Sequence, residues 1–151
     1  AARGLCWDVV PVTPEQVEAV CAVASAVPGL RIVVDHLARP PVDTGRDGPW
    51  RRAVDALAER PNVAIKLSVG VDLLSRWAVW DPAALRPFVA YALERFGPRR
   101  AMLASNWPVC LLRVAYATAW ADLTGLVAEL APDERDAVTG GTAALWYGLV
   151  P

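Results

Sequence analysis

Short, continuous runs of apolar residues alternate in this chain with longer stretches in which apolar residues recur every three or four positions. The continuous runs are typical of strands buried on both faces, and the spaced positions are typical of helices with one buried side. The predicted strands are Gly4–Val10, Arg31–Leu37, Asn62–Val69 and Ala101–Ala104. The pattern therefore predicts four strand–helix repeats.

The stretches between these strands carry helix start and stop signals. Thr13 is followed by Pro14 and, three residues on, by Gln16, a combination that predicts an N-cap with a capping box. Gly70–Asp81 is predicted to be an irregular connection. Helices are predicted from Thr13 to Val27, over Trp50–Glu59, from Asp81 to Phe96, over Leu112–Leu130, and from Pro132 onward.

A strand–helix alternation of this kind predicts an α/β protein with a parallel sheet and right-handed crossovers. Two architectures fit, an open doubly wound sheet and part of an eight-stranded TIM barrel. A complete barrel needs about 250 residues, and this chain has 151. The expected organisation is a single domain over residues 1–151 that supplies about half a barrel.

Polar residues stand at the predicted strand ends, where both architectures place their ligands. They are Asp8, Asp35, His36, Lys66, Ser68, Ser105 and Asn106, with Arg39 just beyond the second strand. His36 and Asn106 are the leading candidates for chemistry. The alternatives are structural: Asn106 as a turn residue beside a core Trp107, His36 as a half-buried histidine, and Lys66 as a lysine reaching for solvent.

Composition narrows the possible functions. A formal net charge of -1 does not suggest a nucleic-acid partner, and the absence of a long apolar run argues against a membrane span. Three cysteines without a CxxC pair predict a reduced, cytoplasmic protein. His36 is the one histidine, so a metal site with several histidines cannot be built from this chain alone. There is no glycine-rich phosphate loop.

Four segments carry a resemblance to a known family. They are DHLARP (Asp35–Pro40), PNVAIKLSVG (Pro61–Gly70), FGPRRAMLASNWPV (Phe96–Val109) and GGTAALWYGL (Gly140–Leu149). In order and spacing they resemble the amidohydrolase-2 family of TIM-barrel hydrolases, and most of all its sugar-lactonase branch. The resemblance implies the C-terminal portion of the barrel, from about the fourth strand to the end. It also implies hydrolysis of a sugar lactone or a related cyclic ester by activated water.

The resemblance also implies roles for individual residues. His36 matches the family's histidine after the fifth strand, a metal or substrate ligand. Asn106 stands where the family's SDWP motif has an aspartate that binds metal and takes the proton of the attacking water. Lys66 lies in the family's KLSG motif, and we take Lys66, Arg39 and Trp107 as candidate substrate-binding residues. The implied cofactor is a divalent metal such as zinc, with no cofactor as the alternative.

Two departures from the family pattern keep a second hypothesis open. The family's HxH pair on the first strand is absent, and the amide of Asn106 cannot accept a proton as an aspartate does. The alternative is a catalytically inactive relative, or a barrel fragment, that binds a sugar acid or a partner subunit. Because a half-barrel has open sheet edges and 55% of this chain is apolar, we expect it to self-associate or to pair with a separate N-terminal half.

Overall fold

The computed structural model describes residues 2–42 and 44–149. Four parallel strands form one sheet in the order β1-β2-β3-β4. The strands are β1 (Cys6–Val9), β2 (Arg31–Val34), β3 (Val63–Leu67) and β4 (Ala101–Leu103). The helices are α1 (Pro14–Ala26), α2 (Gly48–Ala58), α3 (Val71–Arg76), α4 (Arg86–Phe96), α5 (Tyr116–Gly125), α6 (Pro132–Asp136) and α7 (Thr142–Tyr147).

The sheet has the strand order of a barrel segment. Each strand lies beside the next one in the sequence, as in a barrel, whereas a doubly wound sheet reverses its order at a switch point. The main core lies between one face of the sheet and helices α1, α2 and α4, through residues such as Ile32, Leu57 and Val89. We conclude that the α/β prediction is confirmed and that the sheet corresponds to a partial barrel.

The other face of the sheet corresponds to the inside of a barrel. There Val33, Ala64 and Met102 form a small buried cluster that Trp146 and Tyr147 of the C-terminal helix cover. Because successive side chains on a strand point to opposite faces, Asp8 and Lys66 belong to this inner face as well.

The two edges of the sheet differ in exposure. The edge strand β1 is open, with Trp7 38% exposed and the neighbouring Leu5 68% exposed. Every residue of β4 is buried, because the segment Ala137–Gly141 and helix α7 pack against that edge. Thr142 fixes this segment by donating a hydrogen bond from Oγ1 to the carbonyl of Pro98 at 2.9 Å.

Several predicted boundaries were wrong. The second strand ends at Val34, so Leu37 lies outside it, and a short helix, α3, occupies part of the predicted irregular connection. The predicted helix Leu112–Leu130 is reduced to Tyr116–Gly125, with a separate turn over Val109–Leu112. The capping box of α1 is present, with Thr13 and Gln16 each bonding the other's backbone N–H. Positions 150 and 151 of the domain predicted over residues 1–151 lie outside the described residues.

In the described part of the chain, no helix is both long enough and apolar enough to cross a membrane.

Candidate functional site

A run of four residues in the left-handed region of backbone space follows β2. The φ angles of His36, Leu37, Ala38 and Arg39 are 55°, 52°, 52° and 58°. This conformation costs a non-glycine residue about 1–2 kcal/mol. The run replaces the end of the predicted strand Arg31–Leu37, so His36 lies in a turn and not in a strand.

Buried contacts hold this turn in place. The side chain of Leu37 is fully buried, and the indole Nε1 of Trp50 donates a hydrogen bond to the carbonyl of Leu37 at 2.7 Å. At the far end of the turn, Arg39 Nε lies 3.0 Å from Asp72 Oδ2. Strained backbone of this kind is found preferentially at functional sites, and here the turn sets the position of the His36 imidazole.

His36 and Ser68 form a hydrogen-bonded pair across the ends of two strands. His36 Nδ1 lies 2.9 Å from Ser68 Oγ, and Ser68 is buried just after β3. If Nδ1 carries the proton, it donates to Ser68 and leaves the lone pair of Nε2 available to a substrate or a metal. Burial lowers the pKa of His36, while the nearby charge of Asp35 opposes that shift. Burial thus favours the neutral form of the imidazole.

Asn106 meets the same end of β3 from the other side. Its backbone also has a positive φ, 55°, and its Nδ2 donates to the carbonyl of Val69 at 2.8 Å. Since His36 bonds Ser68 and Asn106 bonds Val69, these two adjacent residues bring both leading candidates together. The amide group is used as a donor here, a role that an ionised carboxylate cannot fill.

Gly70 allows the close packing behind this pair. A Cβ placed on Gly70 would lie 2.5 Å from Asp72 Oδ1 and 3.4 Å from His36 Cβ. Any larger residue would therefore displace the carboxylate that pairs with Arg39, and would press on His36.

A second polar cluster lies on the inner face of the sheet. Lys66 Nζ donates to Asp8 Oδ1 at 2.8 Å, and the hydroxyl of Tyr147 donates to the same carboxylate oxygen. Lys66 Nζ also lies 2.8 Å from Asp35 Oδ1, outside hydrogen-bond geometry, so this contact is electrostatic and that oxygen has no hydrogen-bond donor among the described residues. Burial opposes the charge on Lys66, but Asp35 and Asp8 outweigh it and raise the pKa of Lys66.

The three candidate substrate-binding residues differ in how far other groups of the protein already engage them. Lys66 is engaged by two carboxylates and Arg39 by one. Trp107 is 63% exposed directly beside Asn106, so the alternative that made it a core residue is wrong.

Sequence reasoning missed Asp72, since its segment was predicted to be irregular. It also missed Tyr147, which is distant in the sequence and carries no local signal of its role.

Comparison with known proteins identifies the class to which this fold and site belong. The amidohydrolase family model matches residues 1–149, and the chain belongs to this family. It is 34% identical to an L-fucono-1,5-lactonase of Burkholderia ambifaria over 98% of the chain and 51% of that relative. This confirms the family and the sugar-lactonase resemblance expected from the sequence.

Solved structures agree with this assignment. An amidohydrolase from Burkholderia multivorans with bound zinc superposes with a TM-score of 0.83 at 32% identity, over 99% of the chain and 54% of that protein. An amidohydrolase 2 from Bifidobacterium longum subsp. infantis gives a TM-score of 0.73 at 27% identity, over 97% of the chain and 51% of that protein. The chain thus spans about half the length of the relatives that it matches.

The residues of this chain do not by themselves fit a complete zinc site. Protein zinc sites use about three or four nitrogen, sulfur or carboxylate ligands. Residues 2–42 and 44–149 contain no group of three histidine, cysteine or acidic side chains placed to hold a metal ion. His36 offers one suitable nitrogen, and Asn106, whose Nδ2 donates to the carbonyl of Val69, can offer only its neutral Oδ1.

Proposed function

We propose that this chain is part of a lactonase-type amidohydrolase that opens a sugar lactone, or a related cyclic ester, with water. The observation that carries the proposal is the half-buried imidazole of His36, held through Nδ1 by Ser68 at the end of β3, where desolvation lowers its pKa. Family membership and the similarity to an L-fucono-1,5-lactonase support the substrate class.

The chemistry assigned to His36 is that of a general base. Water attacks the lactone carbonyl carbon while Nε2 of the neutral imidazole takes one proton from that water. The ring C–O bond then breaks, and the proton returns to the departing alkoxide to give a hydroxy acid. A positioned general base contributes about 10²–10⁴ to the rate. Asn106 cannot take the proton, and its role in this proposal is to bind and orient.

Metal dependence is a separate part of the proposal, and no step above relies on it. A divalent metal such as zinc would need ligands in addition to His36 and Asn106, and the described residues supply no third. Such a metal would polarise the lactone carbonyl when bound. Measuring the zinc content of the purified protein with and without His36→Asn tests this part directly.

The alternative function is binding without turnover, of a sugar acid or of a partner subunit. It is favoured by Asn106, a neutral amide at the position of the family's proton-accepting aspartate, already committed to the carbonyl of Val69. On this view His36 and Asn106 supply hydrogen bonds to a ligand and no proton transfer.

Assays with L-fucono-1,5-lactone separate the two functions. We expect proton release above the background rate, a loss of about 10²–10⁴ in His36→Asn, and a gain in Asn106→Asp. Asparagine tolerates a positive φ, so His36→Asn removes the base with little added backbone strain. Turnover that His36→Asn leaves intact would contradict the general-base role. Binding of the open-chain acid with no turnover in either protein would establish the alternative.

We further propose that the open edge of β1 receives additional strands, from a second copy of this chain or from a separate N-terminal half. The exposure of Leu5 and Trp7 on that edge supports this, as does the twofold greater length of the relatives. Native mass spectrometry should show a dimer or a complex with a second chain. A monomer at micromolar concentration would contradict the proposal.

The proposed compartment is the cytoplasm. Cys6, Cys21 and Cys110 are all free thiols in this structure. Reduced cysteines are typical of a cytoplasmic protein. Fractionation of cells that produce the protein, followed by thiol labelling, tests this.

A further inference from the structure

A cleft lies on the helix side of the sheet, beside the candidate site. It opens between α1 and α2 near the carboxyl ends of β1 and β2, and its volume is about 680 Å³. Small-molecule sites range over roughly 300–1,000 Å³. His36 and Asn106 do not line the cleft, whereas Arg39 and Asp72 do, so the cleft adjoins the site already described without including its two leading candidates.

The walls of the cleft are rigid and apolar. They include Pro11, Pro14 and Pro49 together with Trp50. Proline has no backbone N–H, and the indole N–H of Trp50 is already used by the carbonyl of Leu37. These walls favour the apolar body of a ligand and offer it few hydrogen-bond donors.

The charged groups around the cleft are predominantly arginines. Four arginines line it, and they face two carboxylates: the full set is Arg39, Arg46, Arg52, Arg76, Glu18 and Asp72. Arg39 is engaged by Asp72. The guanidinium groups of Arg46 and Arg52 are exposed and have no hydrogen-bond or ion-pair partner within residues 2–42 and 44–149. A planar guanidinium matches the two oxygens of a carboxylate.

We propose that this cleft binds a small organic carboxylate with an apolar body, with the carboxylate held by Arg46 and Arg52 and the body against the proline and tryptophan walls. The proposal does not rest on lactone hydrolysis, because it uses neither His36 nor Asn106. The shape of the walls distinguishes this ligand from a bare inorganic anion, which would gain nothing from them.

The cleft is separated from the candidate site by one ion pair. Arg39 and Asp72 line the cleft, and Asp72 also packs against Gly70, which contacts His36. A carboxylate bound here would therefore lie next to the residues that position the imidazole.

Isothermal titration calorimetry on the full chain tests the proposal with three probes of graded chemistry. Benzoate supplies both the carboxylate and an apolar ring, benzamide supplies the ring without the charge, and inorganic phosphate supplies the charge without the ring. We expect benzoate to bind, and the other two to bind at least about tenfold more weakly, since charge-assisted hydrogen bonds and wall contacts are both needed.

Variants then locate the binding. The double substitution Arg46→Ala/Arg52→Ala should weaken benzoate binding about tenfold or more. Arg99→Ala removes one guanidinium group from an exposed position outside the cleft, and it should leave the affinity unchanged. Equal binding of benzoate and benzamide, equal losses in the cleft and control variants, or no benzoate binding at all would each overturn the proposal. Absence of lactone hydrolysis would contradict the proposed function but would leave this carboxylate-binding proposal standing.

Discussion

Two polar clusters lie side by side near the carboxyl edge of the sheet, and they differ in charge and in backbone conformation. Around Lys66, charged groups contact one another: Asp8 and Asp35 share the ammonium, and Tyr147 adds a hydrogen bond to Asp8. The imidazole of His36 is instead held by the uncharged hydroxyl of Ser68, and the backbone there is strained, with positive φ at both His36 and Asn106.

The difference indicates which cluster maintains the fold and which is suited to chemistry. The charges around Lys66 join β1, β3 and the residue that follows β2, and Tyr147 links them to the C-terminal helix, so most of their donors and acceptors are used within the protein. The imidazole of His36 is held by one nitrogen, so the other remains for a ligand. We therefore expect substitutions at Lys66 to act mainly on stability, and substitutions at His36 to act mainly on binding or turnover.

Lys66→Met should give the largest loss of stability. It leaves the carboxylates of Asp8 and Asp35 close together on a partly buried face without their shared cation. Breaking a buried ion pair costs about 3–5 kcal/mol, and partial exposure reduces this to about 2–3 kcal/mol. Urea unfolding followed by circular dichroism measures it. Lys66→Arg keeps the charge and should lose less; a Lys66→Met protein as stable as the wild type would remove the distinction between the clusters.

Asn106→Asp should cause the next largest loss of stability, and the size of that loss should depend on pH. An ionised carboxylate cannot donate to the carbonyl of Val69, so the free energy of unfolding should fall by about 1–2 kcal/mol at pH 7. The folded state would raise the pKa of the new carboxyl, so stability should return as pH falls through that raised pKa towards the unfolded one. Unfolding curves at pH 7 and pH 4 check this, relative to the wild type at each pH. Asn106→Gly, which also loses the donor, should show a pH-independent loss.

Much of this fold follows from local sequence signals, because each βα repeat is encoded by its own apolar pattern. The strands starting near Cys6, Arg31, Val63 and Ala101 all form, and the capping box forms at Thr13. The prediction failed where tertiary contacts override local preference. Leu37 looks like a strand residue, but Trp50 and the buried core hold it in a left-handed turn.

The candidate site was only partly predictable for a related reason. Polar residues at strand ends identify His36 and Asn106, because the carboxyl ends of parallel strands share one edge. Their hydrogen bonds to Ser68 and Val69 depend on the register between strands and on positive φ angles. The pairing of Arg39 with Asp72 depends on the short helix α3, which the pattern of apolar residues did not predict.

Ser68→Ala should have a smaller effect on stability and a clear effect on the imidazole. Removing one buried hydrogen bond costs about 1 kcal/mol. Because the hydroxyl is the partner of His36 Nδ1, the ring nitrogen resonances of His36 should shift in a ¹⁵N NMR spectrum. Ser105→Ala is the matched control, since Ser105 Oγ bonds the backbone of Trp107. Equal spectra for both variants would show that Ser68 does not hold the ring.

The smallest expected effect is a change in the pKa of His36 on Asp35→Asn. It also compares the two clusters most directly. His36 is the sole histidine in the sequence, so its ring signals can be followed by NMR without ambiguity. Burial should hold its pKa below the ordinary value of 6.5, and Asp35→Asn should lower it further by removing a nearby negative charge. Because the folded pKa is depressed, the stability linked to His36 is present above its unfolded pKa and is lost as pH falls through the folded value. A pKa above 6.5 would mean that the carboxylates of the Lys66 cluster dominate the imidazole, and the two clusters would then act as one.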